Sequence, residues 1–165
     1  MMTGIPIVSS LFVPAYYICI CCCITGFAIY DLFHRRVPNQ ALVCFLPLTL
    51  AAPLLQTAEP LTWQTIARDI AVSSAGATVG FITLLSAALA AKDGGGIGGG
   101  DIKLAAVMGI VYGPYRMIMI LCIASVLAGV FVIITNKTRS TTTLALPFVP
   151  FLAIGSFVIT AATIL

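Results

Sequence analysis

Ile18-Cys19-Ile20-Cys21-Cys22-Cys23-Ile24-Thr25-Gly26-Phe27-Ala28-Ile29-Tyr30-Asp31 carries no charge until its last residue. With the apolar residues before it, the run covers roughly 9–30, and at about 1.5 Å per helical residue that is enough to cross about 30 Å of hydrocarbon. A strand would alternate polar and apolar side chains, which this run does not do, so a helix is the expected spanning element. Working outward, further apolar runs lie near 39–56, 68–91, 98–112, 115–135 and 144–164. The expectation is an all-α fold: a polytopic transmembrane helix bundle of about six spans, forming a single membrane-embedded domain over 1–165.

Composition agrees. Of 165 residues, 61% are hydrophobic and 8% charged, with a mean hydropathy of +1.15, whereas soluble domains carry about a quarter charged residues. The short connections leave no room for a soluble domain. Eight scattered cations act as topology determinants rather than a nucleic-acid surface, and no nucleic-acid partner is expected. Met1–Ser10 contains no Lys or Arg, so the first apolar segment reads as retained rather than as a cleaved signal.

Counting cations predicts orientation. Arg35, Arg36, Lys92, Lys103, Lys137 and Arg139 fall on one side, and only Arg68 and Arg116 on the other. The positive-inside rule puts the first group in the cytosol and both termini outside. Asp31 and Asp101 then share the cytosolic membrane boundary, while Glu59 and Asp69 fall on the outer side. The six cysteines, Cys19, Cys21, Cys22, Cys23, Cys44 and Cys122, all lie in apolar runs. Cys19 and Cys22 form one CxxC without a second pair, so these residues read as packing or lipid-facing groups rather than metal ligands.

The densest chemical signal is Lys92-Asp93-Gly94-Gly95-Gly96-Ile97-Gly98-Gly99-Gly100-Asp101-Ile102-Lys103. Gly94, Gly96 and Gly99 satisfy a phosphate-loop spacing, but no strand precedes them and Asp101 would repel a phosphate. The glycines supply close backbone approach around one acid. Taken alone, Asp101 reads equally well as a helix N-cap. Asp31 is harder to explain by structure. It lies at a helix C-terminus, where the dipole disfavours an anion, and an i+4 pair with Arg35 would contribute only about 0.2–0.5 kcal/mol. Together the acids have the makings of an aspartic pair sharing one proton, in which one activates water and the other protonates the carbonyl or leaving amine. Helix ends assign Asp101 as the initial base and Asp31 as the acid. His34, the only histidine, reads as a solvated loop residue.

These residues resemble the type IV prepilin peptidases, within the GxGD class of membrane aspartic proteases. Gly98-Gly99-Gly100-Asp101 matches the GxGD motif, followed by Ile102, Lys103 and Leu104. Asp31-Leu32-Phe33-His34-Arg35-Arg36-Val37-Pro38-Asn39 is similar to the family's first motif, with Val37 in an isoleucine place. Leu146-Pro147-Phe148-Val149-Pro150-Phe151 resembles a later stretch, with Val149 replacing a glycine, and no special role is assigned there. The resemblance implies catalytic Asp31 and Asp101, and cleavage of a short basic leader from prepilin or pseudopilin substrates at the cytosolic face of a bacterial inner membrane. Asp93 is a candidate contact for that leader. Membrane lipids are the other expected partner, facing the basic loops.

Many members of that family carry two CxxC pairs between the first two spans and also methylate the new terminus with S-adenosylmethionine. Here that loop reads as about ten residues without cysteine. The chain looks more like the compact peptidases of tight-adherence pilus systems, and cleavage is expected to need no metal and no cofactor. Tyr30-Asp31 with GxGD also suggests a presenilin-like protease, which too few spans and a missing Pro-Ala-Leu motif disfavour. A small transporter would be expected to hold its acids nearer the bilayer midplane.

Overall fold

The computed structural model describes residues 6–34, 37–55, 62–90, 98–136 and 147–164, with the side chains of 6–11, 136 and 164 set aside. Arg35, Arg36, Glu59, Lys92, Asp93, the glycines 94–96, Lys137 and Arg139 lie outside the described residues. The described chain is helical: α1 (Pro6–His34), α2 (Asn39–Leu50), α3 (Ala52–Leu55), α4 (Trp63–Ala90), α5 (Gly99–Asn136) and α6 (Val149–Ile164). Three helical stretches, Phe12–His34, Trp63–Ala90 and Gly99–Thr135, are long and apolar enough to cross a membrane. Asn39–Leu55 and Val149–Thr163 are apolar but shorter. Large apolar side chains such as Phe33, Trp63, Val126 and Ile133 stand exposed on the surface, as lipid-facing positions do and water-facing ones in such number do not.

Proline and glycine explain where the helices break. Pro53 has no N–H to donate back to Thr49, and the rod that starts at Asn39 is interrupted at Ala51 before resuming as α3. α5 has 38 residues, which as a straight rod would reach about 57 Å, nearly double the hydrocarbon thickness of about 30 Å. It breaks at Gly113 (φ 69, ψ 175), followed by Pro114. Its first half (99–112) advances alongside α6, from the Asp101 end up to Tyr112 beside Thr160. Its second half runs back along the same helix: Ile120 lies against Gly155, and Phe131 packs on Phe151 at 5.6 Å. Gly80 of α4 likewise meets both Ala105 and Met117, which a straight helix would hold about 18 Å apart. The chain therefore turns back at Gly113, in the gap between the runs expected at 98–112 and 115–135.

Close backbone approach holds the bundle together. Gly76 of α4 lies directly on Gly109 and Gly113 of α5, with no room for a Cβ on either side, the way membrane helices gain contact when water does not drive them together. α6 packs between α1 and α5, and α2 packs against α5. Ile20, Ile24, Leu104, Met108, Met117, Ile120 and Leu152 fill the centre, essentially without exposure. A polar cluster ties three helices at the far end from Asp31. There Arg116 donates to the Tyr17 hydroxyl (2.9 Å), Tyr17 packs on Tyr112 (5.9 Å), and Tyr112 bonds Thr160 (3.0 Å).

Candidate active site

Asp31 closes α1 and Asp101 opens α5, and the fold brings the two to one end of the bundle. They are the only charged side chains buried among the described residues, at 3% and 9% exposure. Acids so deeply buried are rare without a partner or a task. The two carboxyl groups lie near enough to act on each other electrostatically.

Each carboxylate is held by a backbone N–H at the start of a helix. Asp101 sits at the third position of α5 and its side chain reaches back to the N–H of Gly98, while its own N–H bonds the Gly98 carbonyl at 3.0 Å. This is the acidic half of a capping box. The cap residue is thus Gly98, not Asp101, because the helix begins at Gly99, three residues before the Ile102 start that an Asp101 cap would give. Asp31 accepts the N–H of Val149, the first residue of α6. Its other oxygen, Oδ2, is buried with no hydrogen-bond partner.

That second bond removes the premise for separate roles. Asp31 was expected to face only the negative end of α1, but the start of α6 gives it a positive helix end of its own. Val149 is the residue that sequence reasoning missed. Its contribution is a main-chain N–H, which no letter in Pro147-Phe148-Val149-Pro150 reveals. Once α6 is seen to start there, Pro150, which cannot donate, leaves Val149 to serve that helix end.

The two motif stretches touch directly. A Cβ on Gly100 would fall 2.8 Å from the Cβ of Val37, so glycine there lets the α1–α2 connection lie against the start of α5. Lys103 Nζ donates to Asn39 Oδ1 at 3.1 Å and pins α5 to the start of α2. Pro38 stands between these two contacts as the residue before α2. Gly99 has open space around its Cβ position, and Gly98 lies 3.6 Å from Asp101 Oδ2 measured from the same point. The connection itself is four residues, 35–38, rather than about ten, because α1 continues to His34. His34 stacks on Tyr30 (4.2 Å, 11°) and is exposed.

All six cysteines are free, and only Cys21 is buried, donating to Thr160 at 3.6 Å. Among the described residues, no three His, Cys, Asp or Glu side chains come together as a metal-binding group. Asp93 lies outside the described residues.

Comparison with known proteins gives a consistent picture. The chain is 36% identical over 133 residues to the prepilin leader peptidase/N-methyltransferase of Bacillus subtilis (strain 168), an overlap of 78% of this chain and 48% of that protein. The chain thus spans about half the length of the curated relative it matches. No solved structure matches. Residues 17–133, from the middle of α1 to the end of α5 and including both buried acids, match the family model of the type IV leader peptidases, and the chain belongs to that family.

Proposed function

We propose that the chain is an aspartic endopeptidase that removes the short basic leader from prepilin-like proteins, with Asp31 and Asp101 as the catalytic pair. The observation that carries this reading is the placing of two buried carboxyl groups from separate helices at one end of the bundle, each held by a backbone N–H. In the proposed reaction, one carboxylate takes a proton from water as its oxygen attacks the scissile carbonyl. The other carboxyl gives its proton to the carbonyl oxygen. Collapse of the resulting gem-diol breaks the C–N bond as a proton passes to the leaving amine. Either acid can begin as base, since both face a helix N-terminus.

The same proposal puts six crossings in a bacterial inner membrane, with both termini outside and the acids at the cytosolic face. Support comes from the cation count of the loops and from the fold-back of α5 at Gly113, which divides one long helix into two. Partners are the prepilin or pseudopilin substrate and membrane lipid. Methyl transfer is left out, because the connection between α1 and α2 is too short for the cysteine-bearing insert that accompanies it in many members. A transporter reading gains nothing from acids in the terminal turns of their helices, away from the middle of the bundle.

The test is processing of a co-expressed candidate prepilin by wild type, Asp31→Asn and Asp101→Asn, read as a gel shift with each variant confirmed in the membrane. Loss of processing in both is the expected result. Processing that survives either change overturns the peptidase reading.

A further inference from the structure

α1 and α2 do not close on each other along their length. They meet where Phe27 packs edge-on to Phe45 (5.5 Å, 66°) and where the buried Tyr16 hydroxyl donates to the Leu48 carbonyl (3.0 Å). Between these contacts and the acids lies a groove of about 360 Å³ with Gly26, Tyr30, Pro38 and Cys44 on its walls and Phe27 and Phe45 at its base. Its lining is almost wholly apolar. Gly26, Tyr30 and Cys44 are exposed, so the groove opens sideways, toward the surface that carries the other exposed apolar residues.

Position sets this groove apart. Tyr30 directly precedes Asp31, and Pro38 directly follows Val37, which packs on Gly100 beside Asp101. Neither acid lines the groove, but one end of it, at Tyr30 and Pro38, adjoins the residues that carry them, and Leu48, bonded by Tyr16, stands at the other. It runs about 10 Å along α1, from Cys23 to Tyr30, and about 15 Å along α2, from Pro38 to Leu48. A larger cavity of about 610 Å³, by Leu50, Pro53 and Ile70, lies at the opposite end of the bundle. A third, of about 330 Å³ by Thr83 and Cys122, sits on the α4 side of α5 and does not approach the acids.

We propose that the groove between α1 and α2 seats the apolar helical segment of the substrate that adjoins its scissile bond. The inference rests on the peptidase reading. A chain entering from lipid must satisfy its own backbone hydrogen bonds, so the occupant is a helix. The volume is at the small end of ligand-sized pockets, which run from roughly 300 to 1,000 Å³. That is too small for a whole helix and right for one ridge of side chains at i, i+3 or i+4, and i+7. Gly26 sets the depth of the groove, since a Cβ there meets nothing within 4 Å. Seated this way, the helix ends where the two carboxyl groups begin, and the bond to be cut emerges between them.

Two experiments test this. In the first, Gly26→Leu fills the groove, and Gly129→Leu adds the same bulk at a lipid-exposed glycine of α5 that also has open space. Gly26→Leu is expected to raise KM for the candidate prepilin several-fold, with Gly129→Leu at the wild-type value. Equal KM in the two variants overturns the groove and leaves it to lipid chains, whereas processing by Asp31→Asn or Asp101→Asn would overturn the peptidase reading itself. In the second, Cys19, Cys22, Cys23 and Cys122 are replaced by alanine in an Asp101→Asn chain, leaving Cys44 in the groove and Cys21 buried in the core. Single cysteines are then placed along the membrane side of the prepilin scissile bond. With copper–phenanthroline added as oxidant, disulfides to Cys44 recurring every three to four positions are expected. Equal trapping by a matched chain that keeps Cys122 in place of Cys44 overturns the proposal.

Discussion

Gly100 separates two parts of the site by less than the width of a methyl group. An added Cβ would sit 2.8 Å from the Cβ of Val37, and overpacking of this kind costs about 1–3 kcal/mol. If that strain falls on the geometry of Asp101, Gly100→Ala lowers the processing rate by about ten-fold. Gly99→Ala, whose Cβ meets nothing within 4 Å, is expected to cost less. Single-turnover cleavage of the candidate prepilin measures both, and equal losses would mean that the contact with Val37 does not matter. Both acids were legible in the sequence because an ionisable residue at the edge of an apolar run is anomalous. Their donors were not. Gly98 and Val149 serve through main-chain N–H groups, and only the fold decides where such a group points. The assignment of base and acid depended on helix ends, and it lost its basis once α6 placed its N-terminus against Asp31.

The helices follow proline and glycine closely. The break at Gly113-Pro114 could be placed from sequence because a glycine and a proline interrupt an apolar run too long for one crossing. The interruption at Ala51 was not anticipated, since the run from Ala41 to Leu55 is apolar apart from Thr49 and its two prolines stand within it. α1 also outlasts its apolar run by a turn, carrying Asp31 inside the helix and shortening the connection that follows. Gly113 holds φ 69 and ψ 175, a conformation essentially confined to glycine. Gly113→Ala is therefore expected to cost about 1–3 kcal/mol and to appear as a lower thermal midpoint of the purified protein in detergent. An unchanged midpoint would mean that the turn accommodates a side chain.

At the scale of the molecule, hydropathy indicated a helix bundle but not which helices are neighbours. The extensive packing of α4 on α5 rests on Gly76, Gly80 and Gly109, small residues that read in sequence as punctuation rather than as a contact. Nor did apolar periodicity reveal the joining of α1, α5 and α6 through Tyr17, Arg116, Tyr112 and Thr160. The catalytic proposal uses only carboxyl groups and water. Purified protein is accordingly expected to cleave its substrate at an undiminished rate in EDTA and without S-adenosylmethionine. Cleavage that falls with chelator and returns with zinc would contradict that expectation. The bond from Val149 to Asp31 has one more consequence, in the order of synthesis. A ribosome makes Asp31 early, but its counterpart Asp101 and the N–H of Val149 follow only after most of the bundle has been made. A nascent chain in the membrane therefore holds half of a pair until α5 is begun, and lacks the donor that steadies Asp31 until α6 arrives.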